Sequence, residues 1–449
     1  MSLEQITQTL NQMGEKTQAV SLLNTFARHA WQFPEYDDLA KCFFRLKLYT
    51  DSIRYSELAL TTAYTMERSW SARANLINVL NHANYPERAM KYIHVQERLL
   101  PEDQDTRLEK AFSLFLLNKR DAAEAILQKE LLRDDLSDET RTKILFNLGT
   151  YCLWRDEFQK GLRLFLLKGE ELNYWRKAKL PFRFWEGGIM PGRTIILYSE
   201  AGIGDEIINV RFMRHLERVG MKPIWFTDRQ DMAELFNANG YTTITSKNDI
   251  KKLYDADPEL LWTYPMSLPV YLDLQYKDLW HGPYLKSLPE YNEKHSDVLN
   301  ETSTKIGLRW QGNAEYDQDL HRSVPLAAMF SVAMTVNANM YSLQRDTGLE
   351  EIGSMPIVDL SDRMINFCDT ISLINKLNVV ITSCTSIAHA AAAMGKRVFV
   401  MVPISAYYTW SHSSDQSPWY GENVTILRQE SPRDWTEPLK RLRVCLSKL

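Results

Sequence analysis

Three hydroxyl side chains lie close together directly before an alanine-rich segment of the sequence. They are Ser383, Thr385 and Ser386. The apolar, β-branched run 379–382 predicts a buried strand, and residues 387–395 predict a helix that ends at a glycine. The free N–H groups and the dipole at the start of such a helix form an anion site, although the hydroxyls could also simply cap it. Three hydroxyls together favour a phosphate site.

A second segment that could do chemistry is the turn 201–205, which reads Ala-Gly-Ile-Gly-Asp. It follows a predicted strand, 194–198, and precedes a predicted helix from about 206 to 218. The glycines Gly202 and Gly204 would let the backbone turn tightly. The Asp205 carboxylate would then lie at the carboxyl edge of the strand, where ligands bind in parallel sheets, or it would cap the helix that follows.

Both segments belong to a half of the chain in which β-branched runs alternate with amphipathic segments. This alternation predicts βαβ units and parallel sheets. The strand 194–198 and a second at 223–227 predict a first lobe, residues 190–300. The loop-rich stretch 255–289 would end that lobe and cross over to the next. Five further predicted strands assign residues 301–449 to a second lobe: 305–310, 340–343, 357–360, 379–382 and 398–402.

The first 185 residues contain a repeat. A small residue followed by an aliphatic one recurs in steps of 33, 37, 36 and 36 residues, at Ala19, Ser52, Ala89, Ala125 and Gly161. This period is that of one antiparallel helix pair, with the small residue where the two helices cross. An irregular helical bundle is the alternative. The Pro/Gly-rich stretch 180–192 marks the end of the helical domain 1–185, so the predicted fold class is α + α/β.

Composition restricts the classes of function. The 449 residues are 45% hydrophobic and 24% charged, as in ordinary globular proteins, and the net charge of −4 gives no overall attraction to nucleic acid or anionic membranes. The N-terminal segment lacks the pattern of a secretion signal, and no apolar run is long enough for a membrane span. The five cysteines lie far apart, which argues against disulfides and zinc. We expect a cytoplasmic protein.

The chain resembles two known families. Residues 145–165, with Gly149, Phe158 and Gly161, are similar to a degenerate tetratricopeptide repeat (TPR). The second half resembles GT-B glycosyltransferases of the heptosyltransferase and O-GlcNAc-transferase type. Three passages carry this resemblance in family order: 198–207, then 306–313 leading to 321–325, and finally 381–395 continuing to 415–420.

The resemblance implies two Rossmann-like lobes, with a nucleotide-sugar substrate held by the second lobe, no cofactor, and an acceptor entering from the first. It makes Asp205 the candidate general base, in the loop with Gly202 and Gly204. It places Arg309, Asn313 and Arg322 at the diphosphate, where an arginine fork suits phosphate oxygens. The remaining predicted contacts to the nucleotide-sugar are Gln344, at the base, and Ser383, Thr385, Ser386 and His389. Trp410 and Trp419 could stack on a base or sugar, or belong to the core.

One position departs from the family pattern, since Cys384 precedes Thr385 where family members often have aspartate. The tripeptide 317–319, Asp-Gln-Asp, matches the DxD metal motif of another glycosyltransferase fold. The same pattern recurs at 103–105 and 255–257. Such repetition is typical of chance, and we predict no metal.

The predicted function is therefore metal-independent glycosyl transfer (of a hexose or a pentose) from a nucleotide diphosphate sugar to an acceptor hydroxyl. The acceptor could be a protein, a glycan or lipid, or a hydroxymethylated base in phage DNA, and peptide-binding repeats favour protein. Two alternatives remain: a catalytically silent TPR scaffold with a nucleotide-binding GT-B domain, and an epimerase acting on the nucleotide-sugar.

Overall fold

The chain begins with a run of paired helices. In a computed structural model, which describes residues 2–171, 176, 178–300, 302–316, 318–345, 347–410 and 414–449, ten helices precede the first strand. They are α1 (Leu3–Gln12), α2 (Lys16–Ala27), α3 (Phe33–Arg45), α4 (Tyr49–Thr61), α5 (Met66–His82), α6 (Pro86–Leu99), α7 (Gln104–Leu116), α8 (Arg120–Leu131), α9 (Asp138–Trp154) and α10 (Phe158–Glu170).

The second helix of each pair buries its fourth residue. These residues are Ala19, Ser52, Ala89, Ala123 and Gly161. The prediction of Ala125 is wrong, because α8 begins at Arg120, which buries Ala123 and leaves Ala125 exposed. Two residues before each of these helices the backbone is left-handed, at Gly14, Lys47, Asn84, Asn118 and Asp156. The helical repeat is therefore confirmed, with a slip of two residues in the fourth unit.

The last pair shows why a small residue is needed at the crossing. A Cβ added to Gly149 of α9 would lie 2.7 Å from the Phe165 nitrogen, and one added to Gly161 would lie 2.6 Å from Leu153 Cγ and 2.8 Å from the Leu153 nitrogen. The backbones of α9 and α10 therefore approach too closely for any side chain at either position.

We expect Gly161→Ala to lower the free energy of unfolding by about 1–2 kcal/mol. Overpacking a tight contact costs roughly 1–3 kcal/mol, which outweighs the gain in helix propensity of about 1 kcal/mol. Denaturant unfolding checks this, with Arg163→Ala, an exposed site on the same helix, as the control. A more stable Gly161→Ala protein would contradict the close crossing.

The first parallel sheet follows the helices. It has the order β3-β2-β1-β4, with β1 (Thr194–Tyr198), β2 (Lys222–Phe226), β3 (Thr243–Ile244) and β4 (Leu261–Thr263). Its helices, and those that lead out of it, are α11 (Ile203–Val210), α12 (Met213–Arg218), α13 (Gln230–Ala238), α14 (Lys247–Ala256), α15 (Leu268–Tyr271) and α16 (Pro289–Lys294). The helix predicted for 206–218 is two helices, interrupted at Arg211 and Phe212.

The second sheet has the order β10-β11-β9-β8-β5-β6-β7 and is parallel except for the β10–β11 pair. Its strands are β5 (Thr304–Arg309), β6 (Ala338–Ser342), β7 (Ile357–Asp359), β8 (Val379–Ser383), β9 (Arg397–Val402), β10 (Gln416–Ser417) and β11 (Gly421–Arg428). Its helices are α17 (Asp319–Arg322), α18 (Leu326–Ala333), α19 (Phe367–Lys376), α20 (Ser386–Ala393) and α21 (Thr436–Leu446). All five predicted strands are present, so the α + α/β fold class is confirmed.

By compactness the chain divides into two units. One comprises the residues up to 133 together with 315–321 and 430–434, and the other comprises 134–314, 322–429 and 435–449. Helices α9 and α10 therefore belong to the unit that contains both sheets. In that unit, Arg183 and Trp185 also hydrogen-bond to the backbone of Trp262 in β4. The predicted helical domain 1–185 thus ends in residues that pack with the first sheet.

Candidate active site

The turn before α11 takes its shape from Ala201 and not from its two glycines. Ala201 has a left-handed φ of 61°, whereas Gly202 has an ordinary φ of −100° and Gly204 already lies in the helix. The expectation that the glycines make the turn is therefore wrong. Gly204 serves a different purpose, because a Cβ there would lie 3.1 Å from His389 Cδ2 and 3.7 Å from Ser386 Cα. Its missing side chain lets the start of α11 approach the start of α20.

Asp205, on the first turn of α11, has both carboxylate oxygens engaged. Oδ2 accepts a hydrogen bond from the Gly202 N–H at 3.0 Å, and Oδ1 accepts one from the Tyr407 hydroxyl at 2.7 Å. Burial among protein groups raises the pKa of Asp205 to about 6, and these two hydrogen bonds oppose that rise. The predicted N-cap role is therefore wrong in its position: Gly202 is the N-cap, and Asp205, the third residue of the helix, reaches back to accept the Gly202 N–H.

The two neighbouring carboxylates are committed to ion pairs. Glu200 is buried and accepts from Arg176 at 2.7 Å and from the Met266 N–H at 2.8 Å. Glu206 is buried against Arg229 and accepts from Trp225 Nε1 at 3.2 Å. Asp205 has no such cationic partner among the described residues. Of the three, it is the carboxylate best placed to exchange a proton with a ligand.

The hydroxyls before α20 do not cap it. Thr385 is the N-cap residue, with an extended backbone, but its side chain makes no cap bond, and its Oγ1 lies 3.4 Å from Thr382 Oγ1. Ser383 is fully buried, and its Oγ has no hydrogen-bond partner in the described structure. Ser386 is the first residue of the helix and is half-buried. The expectation of side-chain capping is wrong, and the dipole at this end is left for another acceptor.

Of the three residues predicted to face a diphosphate, Arg322 lies beside this turn. Its Nη1 donates to the Cys384 carbonyl at 3.0 Å. Arg309 is the strand partner of Thr382, but its Nη1 donates to the Leu343 carbonyl at 2.9 Å, on the other side of β5. Asn313 is exposed in the loop after β5. The structure thus brings one of the three to the start of α20.

Gln344 lies fully buried between the loops that follow β5 and β6. Its Oε1 accepts from the Gln311 N–H at 3.2 Å, and its Nε2 donates to the Thr347 carbonyl at 2.6 Å. Both ends of the amide therefore bind backbone. A contact from this side chain to a nucleobase stays a prediction, and it would use the second lone pair of Oε1 or the second N–H of Nε2.

His389 lies within an aromatic cluster. Its Nδ1 is 3.0 Å from the Tyr420 hydroxyl, and its ring stacks on Trp410 with centroids 5.0 Å apart. Burial, followed by the charges of Arg211 and Arg322, lowers the pKa of His389 to about 3, so the ring is neutral at physiological pH. Trp410 and Trp419 are 0% and 1% exposed. Of the two possibilities, stacking on a ligand or packing in the core, the structure shows core packing for both.

The DxD pattern at 317–319 cannot be placed in full, because Asp317 lies outside the described residues. Asp103, in the first of the other two copies, caps α7 by accepting from the Thr106 N–H at 3.2 Å. Within the described ranges no three His, Cys, Asp or Glu side chains are grouped so that they could hold a metal ion. No helix in those ranges is long and apolar enough to cross a membrane.

Comparison with known proteins gives no match to any family model and none to a curated protein sequence. Solved structures similar to the chain include a glycosyl transferase family 9 protein from Veillonella parvula (12% identity, 55% of this chain and 88% of that chain, TM-score 0.42). A mutant O-GlcNAc transferase from Thermobaculum terrenum has 12% identity over 99% of this chain and 92% of its own, with a TM-score of 0.36.

A third similar structure is the ADP-heptose lps heptosyltransferase II of E. coli, at 10% identity over 57% of this chain and 99% of its own, with a TM-score of 0.40. These are the kinds of protein that the sequence resembles. At such identities and scores the similarity carries no argument about activity or substrate, which have to be inferred from the site itself.

Proposed function

We propose that the second half of the chain transfers a sugar from a nucleotide diphosphate sugar to an acceptor hydroxyl, without a metal ion. The observation that carries the proposal is the close approach at Gly204, which sets a carboxylate with a pKa of about 6 next to the uncapped start of α20. The proposed proton acceptor on one lobe would thus adjoin the proposed anion site on the other.

In the proposed reaction Asp205 takes the proton of the acceptor hydroxyl while that oxygen forms a bond to the anomeric carbon. The bond from the anomeric carbon to the diphosphate oxygen breaks, and the nucleoside diphosphate leaves with the electron pair. The N–H groups of α20 and the guanidinium of Arg322 would stabilise the charge that develops on the leaving group. A base with a pKa of about 6 is mostly ionised at neutral pH, as this step requires.

A silent, nucleotide-binding scaffold is the second candidate. It is favoured by the two hydrogen bonds that hold the Asp205 carboxylate, since a purely structural cap would make the same bond to Gly202. Both candidates require a nucleotide site at α20 but differ in turnover. The acceptor is proposed only by class: it would be a protein hydroxyl, which the helical repeats favour, or the hydroxyl of a glycan, a lipid or a modified DNA base. The sugar is likewise proposed only as a hexose or a pentose.

We expect a nucleoside diphosphate to bind at the start of α20, and replacing Thr385 and Ser386 together by alanine to weaken binding by roughly 1–3 kcal/mol, because hydrogen bonds to a charged group are lost. Calorimetry with UDP, GDP, ADP and CDP in EDTA measures this. Ser331→Ala with Thr335→Ala, two exposed hydroxyls at the end of α18, is the matched control. Affinity that is unchanged in the Thr385/Ser386 variant, or that appears only with magnesium, would contradict the proposed site.

A further inference from the structure

A separate cavity of about 760 Å³ lies in the first lobe, at the end of α11 opposite Asp205. Helix α12, the loop 238–241 and the segment 280–286 form its walls. Because α11 has eight residues, its two ends are about 12 Å apart. The cavity therefore lies away from the carboxyl edge of the sheet and is distinct from the site at α20. Its volume is within the roughly 300–1,000 Å³ of small-molecule pockets.

The charge on the cavity wall is mainly positive. Arg214 pairs with Glu217 at 2.8 Å, and Glu217 is the one carboxylate among the lining residues. The side chains of Arg218 and Lys286 make neither a hydrogen bond nor an ion pair with any described residue. Both are exposed. Arg214 and Glu217 neutralise each other, and Arg211 is buried with neutral acceptors. The exposed side chains of Arg218 and Lys286 add two positive charges that a doubly negative group on a ligand would match.

Aromatic rings form the other wall. Trp280 is 50% exposed, and its ring packs against Gly282, where an added Cβ would lie 2.9 Å from Trp280 Cζ2. Tyr241 lies beneath the Arg214 guanidinium, with the cation 4.6 Å from the ring centroid. A large, half-exposed indole beside the side chains of Arg218 and Lys286 offers a flat surface to a ligand ring that carries a negative charge.

We propose that this cavity binds a ring compound bearing a phosphate ester, with the ring on Trp280 and the phosphate between Arg218 and Lys286. Such a ligand could be a sugar phosphate or a nucleoside monophosphate, which share this chemistry. The site goes beyond the proposed transfer reaction and does not depend on it, because the three residues that would hold the ligand, Arg218, Trp280 and Lys286, contact neither Asp205 nor the start of α20 in the described structure.

The test is calorimetry on the full chain with glucose 6-phosphate, adenosine 5′-monophosphate and inorganic phosphate. We expect at least one of the two esters to bind at least about tenfold more tightly than inorganic phosphate, and the better one to identify the ring. Arg218→Gln with Lys286→Gln should weaken that binding at least about tenfold, and so should Trp280→Ala. Arg443→Gln with Lys448→Gln removes the same charge from α21 and its end, and should leave the affinity unchanged.

A nucleoside monophosphate could also occupy the site at α20, so each titration is repeated with Thr385 and Ser386 replaced by alanine. Binding that persists there and is lost in the Arg218/Lys286 variant supports the cavity, whatever the outcome for glycosyl transfer. The proposal is overturned if neither ester binds, if inorganic phosphate binds as well as both, or if the Arg443/Lys448 control weakens binding as much as the Arg218/Lys286 variant does.

Discussion

Asp205→Asn should lower turnover by roughly 10²–10⁴-fold while leaving nucleotide affinity and folding nearly unchanged, the usual scale for loss of a general base. The asparagine amide oxygen can still accept the Gly202 N–H bond, and its NH2 group can donate to the Tyr407 hydroxyl oxygen, so both contacts of the carboxylate can be kept. What it cannot do is take a proton. The measurement is turnover with an identified acceptor, beside a titration with the nucleoside diphosphate and a thermal melt.

The pH dependence of kcat/KM tests the role of the Asp205 carboxylate independently of the substitution. Because burial raises the pKa of Asp205 to about 6, the base is mostly protonated below that pH and mostly ionised above it. We therefore expect kcat/KM of the wild type to rise with pH through about 6 and then to level off. This rise should be absent from the residual activity of Asp205→Asn.

Asp249→Asn is the matched control, since Asp249 is likewise the third residue of its helix, α14, and its carboxylate accepts from Lys252 of the same helix at 3.1 Å. It should change neither turnover nor the pH profile. Near-normal turnover in a folded Asp205→Asn protein would mean that this carboxylate only caps α11. The silent scaffold would then be the better account, since the two neighbouring carboxylates are held in ion pairs.

The elements of the fold could be predicted where one local pattern determines them. Strands such as β8 and β9 are mostly apolar and are buried except for Arg397 at the start of β9, so their type, and their bounds to within one residue, follow from the residues themselves. The slip from Ala123 to Ala125 arose because both are alanines in one helix. The left-handed residue before each second helix, Asn118 in this unit, marks where the helix begins and would have decided between them.

The site was predicted less completely, because its geometry depends on contacts between distant parts of the chain. Tyr407 bonds to Asp205 across 202 residues, and nothing in the local sequence around either residue signals that pairing. The prediction that glycines shape the turn failed because a left-handed alanine, Ala201, does so, while Gly204 is needed for a neighbour from the other lobe. The contacts of these residues with a ligand stay predictions. The hydrogen bond from Arg322 to the turn before α20 supports one of those predicted contacts.

Arg211→Met should lower the free energy of unfolding by roughly 3–5 kcal/mol, because four neutral acceptors lose a charged donor and a buried acceptor left unsatisfied costs about 1–3 kcal/mol. Arg211 is 1% exposed, and it donates to the carbonyls of Ile208, Trp280 and Trp419 and to the Tyr284 hydroxyl, over 2.7–3.0 Å. Methionine fills similar space but leaves these acceptors without a donor. The change is measured by denaturant unfolding, followed by tryptophan fluorescence.

The same side chain joins α11 of the first lobe to the segment before β11 in the second. Its guanidinium lies 4.7 Å from the ring centroid of Tyr420, whose hydroxyl bonds to His389 in α20. We therefore expect Arg211→Lys, which keeps the charge but cannot serve four acceptors, to weaken nucleoside diphosphate binding as well as stability. Arg214→Met, on the next helix at a partly exposed site, should cost no more than about 1 kcal/mol. Equal losses from Arg211→Met and Arg214→Met would contradict the role of Arg211 in holding the two lobes in register.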